Sequence, residues 1–159
     1  MADTGQTARE TLFALLREAK SLGARYYRAT GKPLGVTGEV AELAAAETLG
    51  LELCGAREPG FDAWDRSAPT ALRVQIKGRA VDPGDRYRGR CPAIKCGDQF
   101  DTVVLVLLDR HTLEPLEIWS ASEAAVAARL AAPGSKSRNE RNSLGINQFR
   151  SIARCVWSV

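Results

Sequence analysis

The chain is poor in the side chains from which soft-metal centres and disulfide frameworks are built. Among its 159 residues there is one histidine, His111, and there are four cysteines, Cys54, Cys91, Cys96 and Cys155. Cys91 and Cys96 have the spacing that opens some zinc sites, but no second pair follows and His111 falls in an expected turn. The thiols are therefore expected to be reduced, because four scattered cysteines do not make the dense framework of a secreted, stapled domain. Long apolar runs are lacking too. The longest, Val103 to Leu108, is far short of the roughly 20 residues that span a bilayer. The first ten residues have neither a basic start nor an apolar stretch, so no signal peptide is expected. The resulting expectation is a soluble, cytoplasmic protein with no membrane partner.

What remains is an ordinary globular composition, 45% hydrophobic and 26% charged, in a length that suits one domain over 1–159. The net charge of +3 is unevenly spread. Residues 73–95 carry seven cations (Arg73, Lys77, Arg79, Arg86, Arg88, Arg90 and Lys95) against Asp82 and Asp85, a net of +5. Residues 136–154 carry five cations against Glu140, a net of +4, which leaves −6 on the remainder. Two basic segments on an acidic body suit a polyanion-binding surface; solvated loops that never face one another would look the same.

Periodicity predicts a first helix over about 8–29, opened by the capping box Thr7 to Glu10, with Leu12, Leu15, Leu16, Ala19, Leu22 and Tyr26 at helical spacing. Thr37 is expected to cap a second helix that stops at Gly50 and carries Glu39 and Glu42 side by side near its start. Short strands follow at 51–54 and 60–65. From Ala71 to Arg79 the side chains alternate, with Leu72, Val74 and Ile76 on one face and Arg73, Gln75, Lys77 and Arg79 on the other. The Gly-, Pro- and Arg-rich segment 81–99 reads as a long loop with a helical turn near Ile94, and Arg86-Tyr-Arg-Gly-Arg90 suits phosphate contact with base stacking. Asp101 to Asp109 is the strongest strand and should be buried on both faces. Leu116 to Trp119 should pair back onto it, a capping box at Ser120 to Glu123 should open an alanine-rich helix, and a last helix should align Ile146, Phe149, Ile152, Ala153 and Val156. The expected fold class is α/β, a mixed central sheet flanked by helices: an N-terminal helix (1–35), a core (36–119) and C-terminal helices (120–159).

In this order Asp62, within Pro59-Gly-Phe-Asp62, lies on the strand before Gln75-Ile-Lys77, and a helical glutamate precedes both. Over roughly 36–119 the chain resembles the PD-(D/E)XK, or restriction-endonuclease-like, nuclease superfamily. Gln75 stands where that family commonly has an acid, and the Q-x-K form is similar to Mrr-type restriction endonucleases. The resemblance implies a restriction-endonuclease-like core and a catalytic set of Asp62, Gln75, Lys77 and Glu39 or Glu42. Asp62, the Gln75 amide oxygen, the Ile76 carbonyl and the helical glutamate would hold Mg²⁺ or Mn²⁺. An amide ligates a hard cation without charge, so the glutamate must supply what Gln75 lacks.

The function so implied is metal-dependent endonucleolytic hydrolysis of phosphodiesters, in DNA rather than RNA. Arg73, Arg79, Arg86, Arg88, Arg90 and Lys95 would hold the nucleic-acid backbone. Two other readings stay open: a nucleic-acid-binding module of this fold that has lost cleavage, and a protein–protein adaptor. With no separate recognition domain, specificity would fall to the loops, a homodimer or a partner subunit.

Overall fold

The computed structural model describes residues 4–56 and 60–159. In chain order the elements are α1 (Thr4–Thr30), α2 (Thr37–Leu49), β1 (Glu52–Leu53), β2 (Ala63–Asp65), β3 (Leu72–Val81), a 3₁₀ turn (Pro83–Asp85), β4 (Thr102–Asp109), β5 (Pro115–Ser122), α3 (Glu123–Ala131), α4 (Lys136–Asn139), α5 (Ile146–Ile152) and β6 (Arg154–Ser158). The strands form one six-stranded sheet in sequence order. All neighbours are antiparallel except β3 and β4, which run parallel from Val74↔Thr102 to Val81↔Asp109. The protein is thus α/β with a mixed sheet between helices.

β4 is the centre. Its unbroken Val-Val-Leu-Val-Leu-Leu run is buried throughout, because each face of the sheet has its own core. Val104, Val106 and Leu108 point with Val74, Ile76 and Ile118 towards Val40, Ala41, Ala44 and Ala45 of α2. Val103, Leu105 and Leu107 point the other way, against Cys91, Ile94, Phe100, Leu144, Ile146 and Phe149. The approach of α2 to β3 requires a glycine: a Cβ on Gly78 would lie 2.5 Å from the Ala41 Cβ and 2.9 Å from the Thr37 carbonyl oxygen. That contact fixes α2 over the Val74, Ile76 and Gly78 face of β3, the face opposite Gln75 and Lys77.

Several local expectations are corrected. The helix α1 starts at Thr4, ahead of the expected capping box, and only Gly23 and Ala24 are buried. Its leucine stripe is therefore not core; Leu12, Leu15, Leu22 and Tyr26 are exposed. Val36, not Thr37, is the N-cap of α2, whose first backbone bond runs from the Val40 amide to the Val36 carbonyl. β5 runs on to Ser122, so the hydroxyl of Ser122 rather than Ser120 caps α3, accepting from the Ala125 amide at 3.2 Å.

The expected helical turn near Ile94 is found instead at Pro83–Asp85. Ile94 is fully buried and its amide donates to the Asn142 carbonyl, while the Cys91 amide donates to Leu144. The loop is therefore the layer that covers one face of the sheet, held by backbone bonds to 142–145. The last helix also ends early. At Ala153 the backbone becomes extended, and Arg154–Ser158 pairs antiparallel with β5 as β6, so 120–159 is not all helix. The β-favouring Cys155-Val-Trp157 run explains the switch.

Candidate active site

The site forms where β2 leaves β3. The last backbone pair there is Ala63↔Val74, and the Asp62 amide donates to the Val74 carbonyl at 2.9 Å. Beyond that point the Asp62 side chain takes over the ladder, its Oδ2 accepting from the Ile76 amide at 2.7 Å. A strand amide left without a partner is costly, so this bond both closes the sheet and fixes the carboxylate beside Gln75 and Lys77. Pro59, the first residue of the matched motif, lies outside the described residues.

The helix α2 brings the second carboxylate. Glu42 is half-buried, and burial, then the charges of Asp62 and Glu39, push its pKa up to about 7. Glu39, one turn earlier, is exposed. The two glutamates that share a helical face in the sequence are thereby separated: Glu42 is the one held against the sheet, crowded by Asp62.

Gln75 donates from Nε2 to the Gly60 carbonyl at 3.3 Å, which turns Oε1 away from that carbonyl. Oε1 is buried and accepts no hydrogen bond from any described residue. A buried amide oxygen without a donor is an unspent ligand for a cation. Lys77, two residues on and on the same strand face, is half-buried and makes no ion pair with a described residue. The charge-coupled carboxylates of Asp62 and Glu42 suit a hard, oxygen-preferring cation. Among the described residues no three His, Cys, Asp or Glu side chains gather as a metal cluster, so a cation held by these carboxylates would complete its shell with amide, backbone or water oxygens.

The six expected nucleic-acid contacts divide. Arg73 is committed to Asp101, with its amide and Nε donating to Oδ2 at 2.7 and 3.2 Å and Nη2 to Oδ1 at 3.0 Å. The Arg73 hydrogen bonds hold the Asp101 carboxyl below its ordinary range, and the pair locks β3 to the start of β4. Arg86 donates to Pro83 O at 3.1 Å and to Glu117 Oε1 at 3.1 Å. Arg90 is held by Ser143, through the hydroxyl at 3.3 Å and through the carbonyl. Arg79, Arg88 and Lys95 remain exposed. Tyr87 is not open for base stacking on both sides, because the Arg150 guanidinium sits 3.4 Å from its ring centroid.

Glu117 was not singled out by sequence. It is 6% exposed and accepts from the Tyr87 hydroxyl at 2.7 Å, Trp119 Nε1 at 2.7 Å and Arg86. Burial pushes its pKa up, but these three donors outweigh it and the net shift is downward. The available signal was an acid two residues from a tryptophan within an otherwise apolar strand. All four cysteines are free thiols, and burial raises Cys91 to about 12. No helix of the described residues is long and apolar enough to cross a membrane. No protein-family model matches the chain, and comparison with curated proteins returns no match.

Proposed function

We propose that the protein is a metal-dependent nuclease that hydrolyses phosphodiester bonds, with DNA as the substrate. The observation that carries this reading is Asp62, bonded to the Ile76 amide from the residue just ahead of β2, with Glu42 of α2 near enough to feel its charge, beside the strand that bears Gln75 and Lys77. Asp62, Glu42 and the Gln75 amide oxygen would hold a divalent cation such as Mg²⁺ or Mn²⁺. When bound, that cation supplies charge to polarise a phosphate and lower the pKa of water.

The chain's own residues have separable tasks. Asp62 is preset by the Ile76 amide, so it need not reorganise to act as a ligand. Glu42 brings the charge that Gln75 does not. Lys77, free of ion pairs among the described residues, would orient the attacking water or neutralise charge that builds on the phosphoryl oxygens. The reaction joins a water oxygen to phosphorus and breaks the bond from phosphorus to the leaving sugar oxygen, which leaves with a proton. The neutral Gln75 supports a second reading, binding without cleavage.

Incubation with supercoiled, linear and single-stranded DNA in Mg²⁺ or Mn²⁺ tests both. The wild type should nick or cut, and Asp62→Ala and Lys77→Ala should fail. If all three bind DNA and none cuts, the binding reading replaces the nuclease. If DNA is neither cut nor bound at low salt, both readings fall.

A further inference from the structure

A second charged feature lies at the C-terminal end of β3, past the site described above. A cavity of about 300 Å³ is lined by Arg79, Arg88 and Arg110 together with Asp82, Asp85 and Gly89. It joins the end of β3, the 3₁₀ turn and the β4–β5 turn. Two of its arginines are steadied by its own acids, Arg110 by Asp82 at 3.2 Å and Arg88 more loosely by Asp85 at 3.7 Å. Arg79 is exposed and makes no ion pair with a described residue. Three guanidiniums against two carboxylates leave a net positive polar cavity with one uncommitted cation.

Its position gives it a use. Arg79 follows Lys77 by two residues on the same strand face, which places the two residues about 7 Å apart along β3. That is roughly the length of one nucleotide of extended backbone. Guanidinium forks match phosphate oxygens in a way that a lysine point charge does not.

We propose that this cavity is a phosphate subsite: Arg79 and Arg110 hold a backbone phosphate of the nucleic acid next to the one presented to Lys77, and Arg88 closes the site from the loop. Asp82 and Asp85 keep Arg110 and Arg88 extended into it. The inference rests on the nuclease reading and adds to it the path of the strand, which leaves the site along the C-terminal end of β3. Arg110 becomes a substrate-positioning residue on a turn that the basic composition of 73–95 did not include.

The test is binding of a fluorescent DNA duplex across a KCl series, in an Asp62→Asn background so that nothing is cut. Arg79→Ala and Arg110→Ala should each weaken binding several-fold at low salt and lower the slope of log affinity against log salt by about one. Arg25→Ala, an exposed cation on α1, should change neither. Thermal unfolding of each variant establishes that it is folded. If the parent binds but both variants keep its affinity and slope, or if Arg25→Ala has the same effect as they do, the subsite is wrong while the nuclease reading stands. If the parent does not bind at any salt concentration, the subsite and the nuclease reading fall together.

Discussion

The Asp62 carboxylate accepts a hydrogen bond from the Ile76 amide at 2.7 Å, so one side chain serves as both a sheet-closing acceptor and a candidate cation ligand. The two roles can be separated by substitution. Asp62→Asn keeps an acceptor and should fold with stability close to wild type while losing cation binding and cleavage. Asp62→Ala leaves the Ile76 amide without its acceptor and should cost a further 1–3 kcal/mol or so in urea unfolding. Equal stability of the two variants would remove the sheet-closing role.

Glu42 makes stability depend on pH in an unusual direction for a carboxylate. Its pKa is raised on folding from 4.5 to about 7, so the folded chain holds an extra proton between those values. The stability this contributes is complete below about 4.5 and is lost as pH rises through 7. Without divalent cation, Glu42→Gln should therefore stabilise the protein at pH 8, by about 1–2 kcal/mol after allowance for its partial exposure, and have little effect at pH 4. Glu39→Gln should do much less. Denaturant unfolding at the two pH values checks this.

Glu117 behaves in the opposite sense. Its pKa is lowered on folding, so its contribution is present above the ordinary carboxylate range and lost as pH falls through the folded value. Glu117→Ala would take the acceptor from the Tyr87 hydroxyl and Trp119 Nε1 and leave Arg86 only its Pro83 bond, and should cost about 2–4 kcal/mol. Tyr87→Phe removes one neutral donor and should cost about 1 kcal/mol. Thermal or urea unfolding at neutral pH distinguishes them.

Gly78 sets the distance between α2 and β3. Gly78→Val should cost about 1–3 kcal/mol through overpacking against Ala41 and Thr37, and should reduce cation affinity as well, since it moves Glu42 away from Asp62. A variant that loses stability but keeps full affinity would show that the Gly78 contact does not set the position of Glu42.

Much of this arrangement is legible in the sequence where a pattern has one physical solution. The alternation from Leu72 to Arg79 allows only a strand with one buried face, and the run from Val103 to Leu108 is too short and too apolar for anything but a central strand. Patterns with two solutions mislead. The stripe on α1 shows amphipathicity without saying that Leu12, Leu15 and Leu22 face water. Ile152, Ala153 and Val156 fit a helical period, yet the chain turns extended at Ala153 because β5 offers an edge. Charge is the least legible. Arg73, Arg86 and Arg90 look identical to Arg79 in sequence, and only their partners Asp101, Glu117 and Ser143 show that they are spent inside the fold. Likewise Glu39 and Glu42 share a helical face, and burial against the sheet separates them.

The assignment of Glu42, Asp62 and Gln75 to one cation site is tested by calorimetric titration of Mn²⁺ into the wild type, Asp62→Asn, Glu42→Gln and Gln75→Glu. The wild type should bind one ion, Asp62→Asn and Glu42→Gln should each lose most of that affinity, and Gln75→Glu, by adding a carboxylate where the amide oxygen stands unpaired, should bind more tightly. No binding by the wild type at millimolar Mn²⁺, or four indistinguishable titrations, would refute the site.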